Sequence, residues 1–192
     1  MGNWIIATAI GIAVAAGLGS ADVALGKEPT KAEQQAAIRK EAQATLAKLY
    51  KIQPGAKVAI QKSAGYAAFD NFGMNLLLLS TARGKGIAVD NRSKKETFMK
   101  MLSAGVGVGL GAKDFRAVFV FETKEALDNF INSGWEFGGQ ASAAAKTATK
   151  GGAMSGAASV SDGVWMYQLT EKGLAAEITA TGTKYYKDDD LN

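Results

Sequence analysis

The alternation of hydrophobic and polar residues changes its rhythm several times along this chain, and each rhythm predicts an element. Residues 4–18 form an uncharged apolar run, too short for a comfortable membrane span and suited to the hydrophobic region of a signal peptide. Gly26 to Thr30 reads as a linker, with Thr30 placed to cap a helix and Glu33 placed to complete a capping box. From there a period near 3.6 predicts a helix over 31–50. Ala37, Ile38, Ala42, Leu46, Leu49 and Tyr50 lie on one face, and Gln34, Lys40, Glu41 and Lys48 on the other. Pro54-Gly55 stops it.

The rhythm then shortens. Residues 57–69 predict a strand and a turn, residues 75–82 a short buried strand, and Gly84-Lys85-Gly86 a tight turn leading into strand at Ile87-Ala88-Val89. Residues 97–102 read as strand or as a helical turn. Glycine occupies every second position from Gly105 to Gly111, with apolar residues between. Gly107-x-Gly109-x-x-Ala112 is a loose match to a dinucleotide fingerprint. Such a loop requires a following helix, however, whereas residues 113–121 are β-branched and aromatic and predict a strand. The glycines are therefore read as one face of a strand against which a backbone or a ring packs closely.

Thr123 predicts the cap of a short helix over 123–131, ended near Gly134. Residues 134–161 are rich in Gly, Ala, Ser and Thr, with Trp135 and Phe137 marking a packed start. Residues 164–169 and 174–181 alternate as a hairpin around Lys172-Gly173, and 187–192 form a polar tail. Strands at short spacing without regular strand–helix alternation give an α+β fold. Its sheet is mainly antiparallel or barrel-like, with one long N-terminal helix and short additional helices. The expected organisation is a hydrophobic export signal or anchor over 1–26 and a single domain over 27–192.

Composition narrows the chemistry. The 192 residues are 47% hydrophobic and 21% charged, as in a globular domain. Cysteine and histidine are both absent, which removes Cys-His and Ser-His-Asp nucleophiles and the usual zinc ligands. Only oxygen ligands for hard cations remain, such as Asp188-Asp189-Asp190, and a terminal acidic run is ordinarily solvated. Glu136 and Glu177 are isolated carboxylates and suggest no catalytic pair. No cofactor is expected, and an enzyme is the least favoured reading.

The net charge is +4 and the isoelectric point about 9.2, a balance that favours anionic surfaces. The densest basic stretch holds Arg83, Lys85, Arg92, Lys94, Lys95 and Lys100, opposed only by Asp90 and Glu96. Arginine grips phosphate with a fork and lysine supplies a point charge. Phe98, Met99 and Met101 lie alongside and are candidates to dip into a membrane interface. The competing reading is a solvated basic loop. Lys146 and Lys150 form a weaker second candidate. No nucleic-acid partner is expected, since neither a recognition helix nor a base-stacking platform accompanies the charges.

The stretch Gly134-Trp135-Glu136-Phe137-Gly138-Gly139-Gln140-Ala141-Ser142-Ala143 resembles one that is characteristic of SYLF lipid-binding domains, particularly bacterial ones. The alternating glycines, Tyr167 followed by Lys172-Gly173-Leu174, and the closing Gly182-Thr183-Lys184-Tyr185-Tyr186 occur in the family's order. Ala175 and Glu177 depart from its aromatic-then-glycine pattern. The SH3 and FYVE modules of some eukaryotic relatives are missing, so a cytoskeletal role is not implied. Together with the basic stretch from Arg83 to Lys100, the resemblance implies a non-enzymatic, exported, envelope-associated domain that binds anionic phospholipid through basic loops. The alternative is a structural or protein-interaction module of the envelope, with a partner that the sequence does not specify.

Overall fold

The computed structural model describes residues 28–76, 79–105, 116–137, 154–171, 173–175 and 183–192; side chains are described except at 71–76, 79–82, 103–105 and 137. The segment expected to direct export, Gly107 to Gly111, Lys146, Lys150, Lys172, Glu177 and Gly182 lie outside those residues.

Helix α1 (Lys31–Ile52) begins as its sequence dictates. Glu33 N–H donates to the Thr30 hydroxyl, and the Glu33 carboxylate accepts the Thr30 N–H at 2.7 Å. Both bonds satisfy donors that a helix start leaves open. Gln53 N–H closes the far end on the Leu49 carbonyl. The next segment departs from expectation. Residues 55–62 form helix α2 (Gly55–Lys62) rather than a strand. Ala56, Ala59 and Ile60 are its buried positions, and spacings of three and four put them on one helical face. That face, docked under α1, outweighs the β-branched character of Val58 and Ile60.

The strands are β1 (Gly65–Leu76), β2 (Leu79–Asp90), β3 (Glu96–Gly105), β4 (Arg116–Phe121), β5 (Trp135–Phe137), β6 (Ala158–Ser161), β7 (Val164–Thr170), β8 (Gly173–Leu174) and β9 (Thr183–Lys187); helix α3 (Lys124–Asn132) separates β4 from β5. Among the described residues all pairings are antiparallel, in the order β5-β9-β3-β2-β1-β4-β7-β6, with β8 added to β7. The fold is α+β with a curled half-barrel sheet, as expected. The hairpin at Gly173 forms through Leu169↔Leu174 and Thr170↔Gly173.

Two details correct the strand reading. The apolar run 75–82 is the tip of the β1–β2 hairpin, since Leu76 pairs with Leu79. Gly84 and Gly86 are mid-strand in β2, not a turn. A Cβ on Gly86 would come within 2.4 Å of the Phe69 ring and 2.5 Å of the Ala68 carbonyl oxygen. The glycine is there because a ring from the neighbouring strand lies over it.

That ring belongs to the concave face. Phe69, Phe119, Phe121, Phe130, Met166 and Tyr185 share one buried cluster. Strands β4 and β9 stand four places apart in the sheet, roughly 19 Å if it were flat. Yet the Phe119 and Tyr185 rings are 4.9 Å apart. Curling brings them together, and Gly86, Ala67, Ala88 and Ala117 leave room for the large rings. Helix α3, capped by Thr123 as predicted, closes this face with Leu127 and Phe130. Helices α1 and α2 cover the convex face over Ala68, Ile87, Phe98, Val118 and Tyr167.

The residues closing the chain do not form a solvated tail. Leu191 is buried in the convex-face core, and the Asn192 side chain accepts the Phe98 N–H and donates to the Phe98 carbonyl, both at 2.9 Å. Asp188 is 1% exposed and pairs with Lys100.

Candidate functional site

On the convex face part of the sheet lies open beside the first half of α1, forming a groove of about 930 Å³. Its floor follows from strand register. Tyr186 pairs with Lys100, Lys100 with Lys85, Lys85 with Asp70, and Asp70 with Arg116. Paired residues point to the same face, so these five form one row across five strands. In the next row Arg83 pairs with Leu102. The α1 wall is Ala37, Ile38 and Glu41.

The charges in the groove are not equivalent. Arg116 Nε is 3.1 Å from Asp70, and the pair is partly buried. Lys100 Nζ lies 2.8 Å from Asp188 and 2.8 Å from Asp190. Hydrogen bonds to these two carboxylates, Asp188 first, hold its pKa well above the ordinary lysine value. The bond from Lys100 in turn holds Asp190 below the ordinary carboxylate range. Lys85 donates to the neutral Gln34 side chain at 3.0 Å. Arg83 is exposed and has no hydrogen-bond or ion-pair partner among the described residues. The groove thus sets Ala37, Ile38 and Leu102 beside two cations, Arg83 and Lys85, that form no ion pair among the described residues; the Glu41 carboxylate lines it too, and the Lys85 charge helps to lower the Asp190 pKa.

The six basic residues singled out in the sequence are divided by the fold. Arg83, Lys85 and Lys100 line the groove. Arg92, Lys94 and Lys95 sit on or beside the β2–β3 turn, and Lys85 to Asp90 along β2 is about 17 Å. In that turn Asp90 accepts the N–H groups of Arg92 and Ser93 at 2.8 and 2.9 Å. The Ser93 bond leads in holding the Asp90 pKa below its usual value, with further lowering from the Lys124 charge.

Phe98, Met99 and Met101 do not reach an interface. They are 4%, 0% and 2% exposed, because β3 is an interior strand covered on both faces. The exposed apolar side chain of β3 is Leu102. Glu136 is exposed on β5, in register with Lys184. Arg116, Leu102 and Tyr186 escaped the sequence reading. The available signal was parity: Lys100 and Leu102 alternate with the buried Met99 and Met101.

Among the described residues no helix is long and apolar enough to cross a membrane. Residues 102–192 match the model of the Ysc84 family, described as a Las17-binding protein actin regulator. Beta cell expansion factor A from Aeromonas veronii is 37% identical over 164 residues, which cover 84% of this chain and 60% of the relative. The chain thus spans less than two thirds of that relative's length. Over residues 102–192 the chain is thus similar to the Ysc84 (SYLF) family, a family of non-catalytic domains known for lipid binding.

Proposed function

We propose that this chain is a non-enzymatic, exported and envelope-associated domain over residues 27–192 that binds anionic phospholipid. The groove carries the reading. A phospholipid is apolar at one end and anionic at the other, and the groove sets Ala37, Ile38 and Leu102 beside Arg83 and Lys85. In this reading Arg83 forks onto the phosphate, Lys85 supplies a second positive charge, and the apolar walls cover the start of an acyl chain. Of the other basic candidates, Lys100 contributes less because two carboxylates already engage it. Arg92, Lys94 and Lys95 act outside the groove. The apolar run at 4–18 supports export.

The test uses the full chain and a short-chain phosphatidylglycerol held below its micelle concentration, so that no bilayer contributes. Titration followed by NMR shifts is expected to mark the groove residues. Arg83→Ala and Lys85→Ala should each weaken binding about five-fold at low salt, since one cation near an anionic group contributes ~1 kcal/mol. Equal affinity for the wild type and the double variant would defeat the groove reading. Loss of all lipid binding together with recovery of a stable protein partner would favour an envelope interaction module instead.

A further inference from the structure

A second basic surface lies at the opposite end of α1 from the groove. Eleven residues separate Glu41 from Ile52, roughly 16 Å along the helix axis. From Ala42 to Phe69 the chain contains no Asp or Glu but has Lys48, Lys51, Lys57 and Lys62. Lys48 is engaged, donating to the Thr170 carbonyl at 2.9 Å. The other three are exposed and have no hydrogen-bond or ion-pair partner among the described residues.

Apolar side chains protrude at the same corner. Ile52 is 37% and Val58 43% exposed. Val58 faces outward because α2 buries Ala56, Ala59 and Ile60, which turns the other side of this eight-residue helix to solvent. On that outer side Val58 and Lys62 are four residues apart and therefore adjacent.

The β2–β3 turn joins this surface. The Asn91 side chain donates to the Ile60 carbonyl at 2.6 Å and to the Ser63 carbonyl at 3.0 Å, and Asn91 N–H donates to the Ala64 carbonyl at 3.0 Å. These bonds hold Arg92, Lys94 and Lys95 against the end of α2. Two of the nearby carboxylates, Asp90 and Glu96, are already engaged. Asp90 serves the turn's own N–H groups and Lys124, and Glu96 pairs with Arg39 at 2.6 Å. Glu122 and Asp162, at the same end of the sheet, belong to the connections after β4 and before β7.

We infer that the α1–α2 corner, together with the β2–β3 turn, docks the domain on an anionic bilayer, with Ile52 and Val58 entering the interfacial layer. The inference rests on the lipid-binding reading but uses a different surface. A bilayer fits better than a protein partner. Protein interfaces are depleted in lysine at their cores, whereas here isolated apolar side chains stand among unpaired cations, the composition that seats a helix on a charged headgroup layer. The domain's sheet serves as the rigid mount.

Because the chain has no cysteine, a single label reports one place. Val58→Cys carrying an environment-sensitive fluorophore is expected to shift to the blue on phosphatidylcholine–phosphatidylglycerol vesicles and not on pure phosphatidylcholine. The same label at Lys40→Cys, on exposed α1 surface, should stay unchanged. Lys57→Gln with Lys62→Gln should weaken vesicle binding about thirty-fold at low salt, while binding of short-chain phosphatidylglycerol to the groove stays as in the wild type. Vesicle binding without a Val58 shift, or unaffected by the double lysine variant, overturns the docking surface. Absence of vesicle binding by the wild type overturns it too. The groove stands or falls separately on the short-chain lipid titration.

Discussion

At the scale of single residues, the fold depends on where small side chains let large ones lie. In the sequence Gly86 reads as part of a turn, and its true requirement is visible only across the ladder, where the Phe69 ring occupies the place of a Cβ. Gly86→Ala must therefore displace both a ring and the backbone carbonyl of Ala68. Overpacking of this kind costs about 2 kcal/mol, which urea denaturation would read as a lowered midpoint. Adding Phe69→Leu should make the double variant less unstable than the sum of the singles, because one obstacle is removed. Simple additivity would mean that the ring is not what excludes the methyl group. The same logic explains why Phe98, Met99 and Met101 are unavailable to a membrane: both faces of β3 are covered where they stand, and of its described apolar side chains only Leu102 stays open.

At the scale of elements, signals that are local in sequence were legible and those set by register were not. The Thr30–Glu33 box and the Thr123 cap are four-residue motifs, and both start helices where the sequence puts them. The 57–62 segment was misread because Val58 and Ile60 favour strand, while the deciding factor is burial of Ala56, Ala59 and Ile60 beneath α1. Of the site, Arg83, Lys85 and Lys100 were legible as charge. Arg116 and the α2 lysines required strand pairing and the Asn91 bridge. The β2–β3 turn yields a pH prediction. Asp90 has a lowered pKa in the folded chain, so its carboxylate contributes stability above its unfolded value near 3.8, and that contribution fades as pH falls through the lower folded value. Asp90→Ala should thus be less stable than the wild type at pH 6, with the gap closing towards pH 2. A gap in denaturation midpoint that holds constant across this range would show that the charge is not responsible.

At the scale of the whole molecule, the last residues tie the convex-face core to the groove. Leu191 is in that core, Asn192 is bonded to Phe98, and Asp188 is buried against Lys100. Asp190 differs, since its side chain is 85% exposed while it shares the same ammonium. The two carboxylates therefore have separable effects. Asp188→Asn removes the buried acceptor of a charge-assisted hydrogen bond and should lower stability by about 2 kcal/mol, Lys100 being partly exposed and keeping Asp190. Asp190→Asn removes only an exposed one, a change of roughly 0.5 kcal/mol. If the groove holds an anionic headgroup, the two should also differ in binding. Asp190 competes for a cation that lines the groove, so its neutralisation should raise affinity for short-chain phosphatidylglycerol about two- to three-fold, with little change in unfolding midpoint. The gain should shrink at high salt, where exposed charges are screened. An Asp190→Asn variant with unaltered or weaker lipid affinity at low salt would mean that Lys100 is committed to holding the terminal segment. The ligand charge would then fall on Arg83 and Lys85 alone.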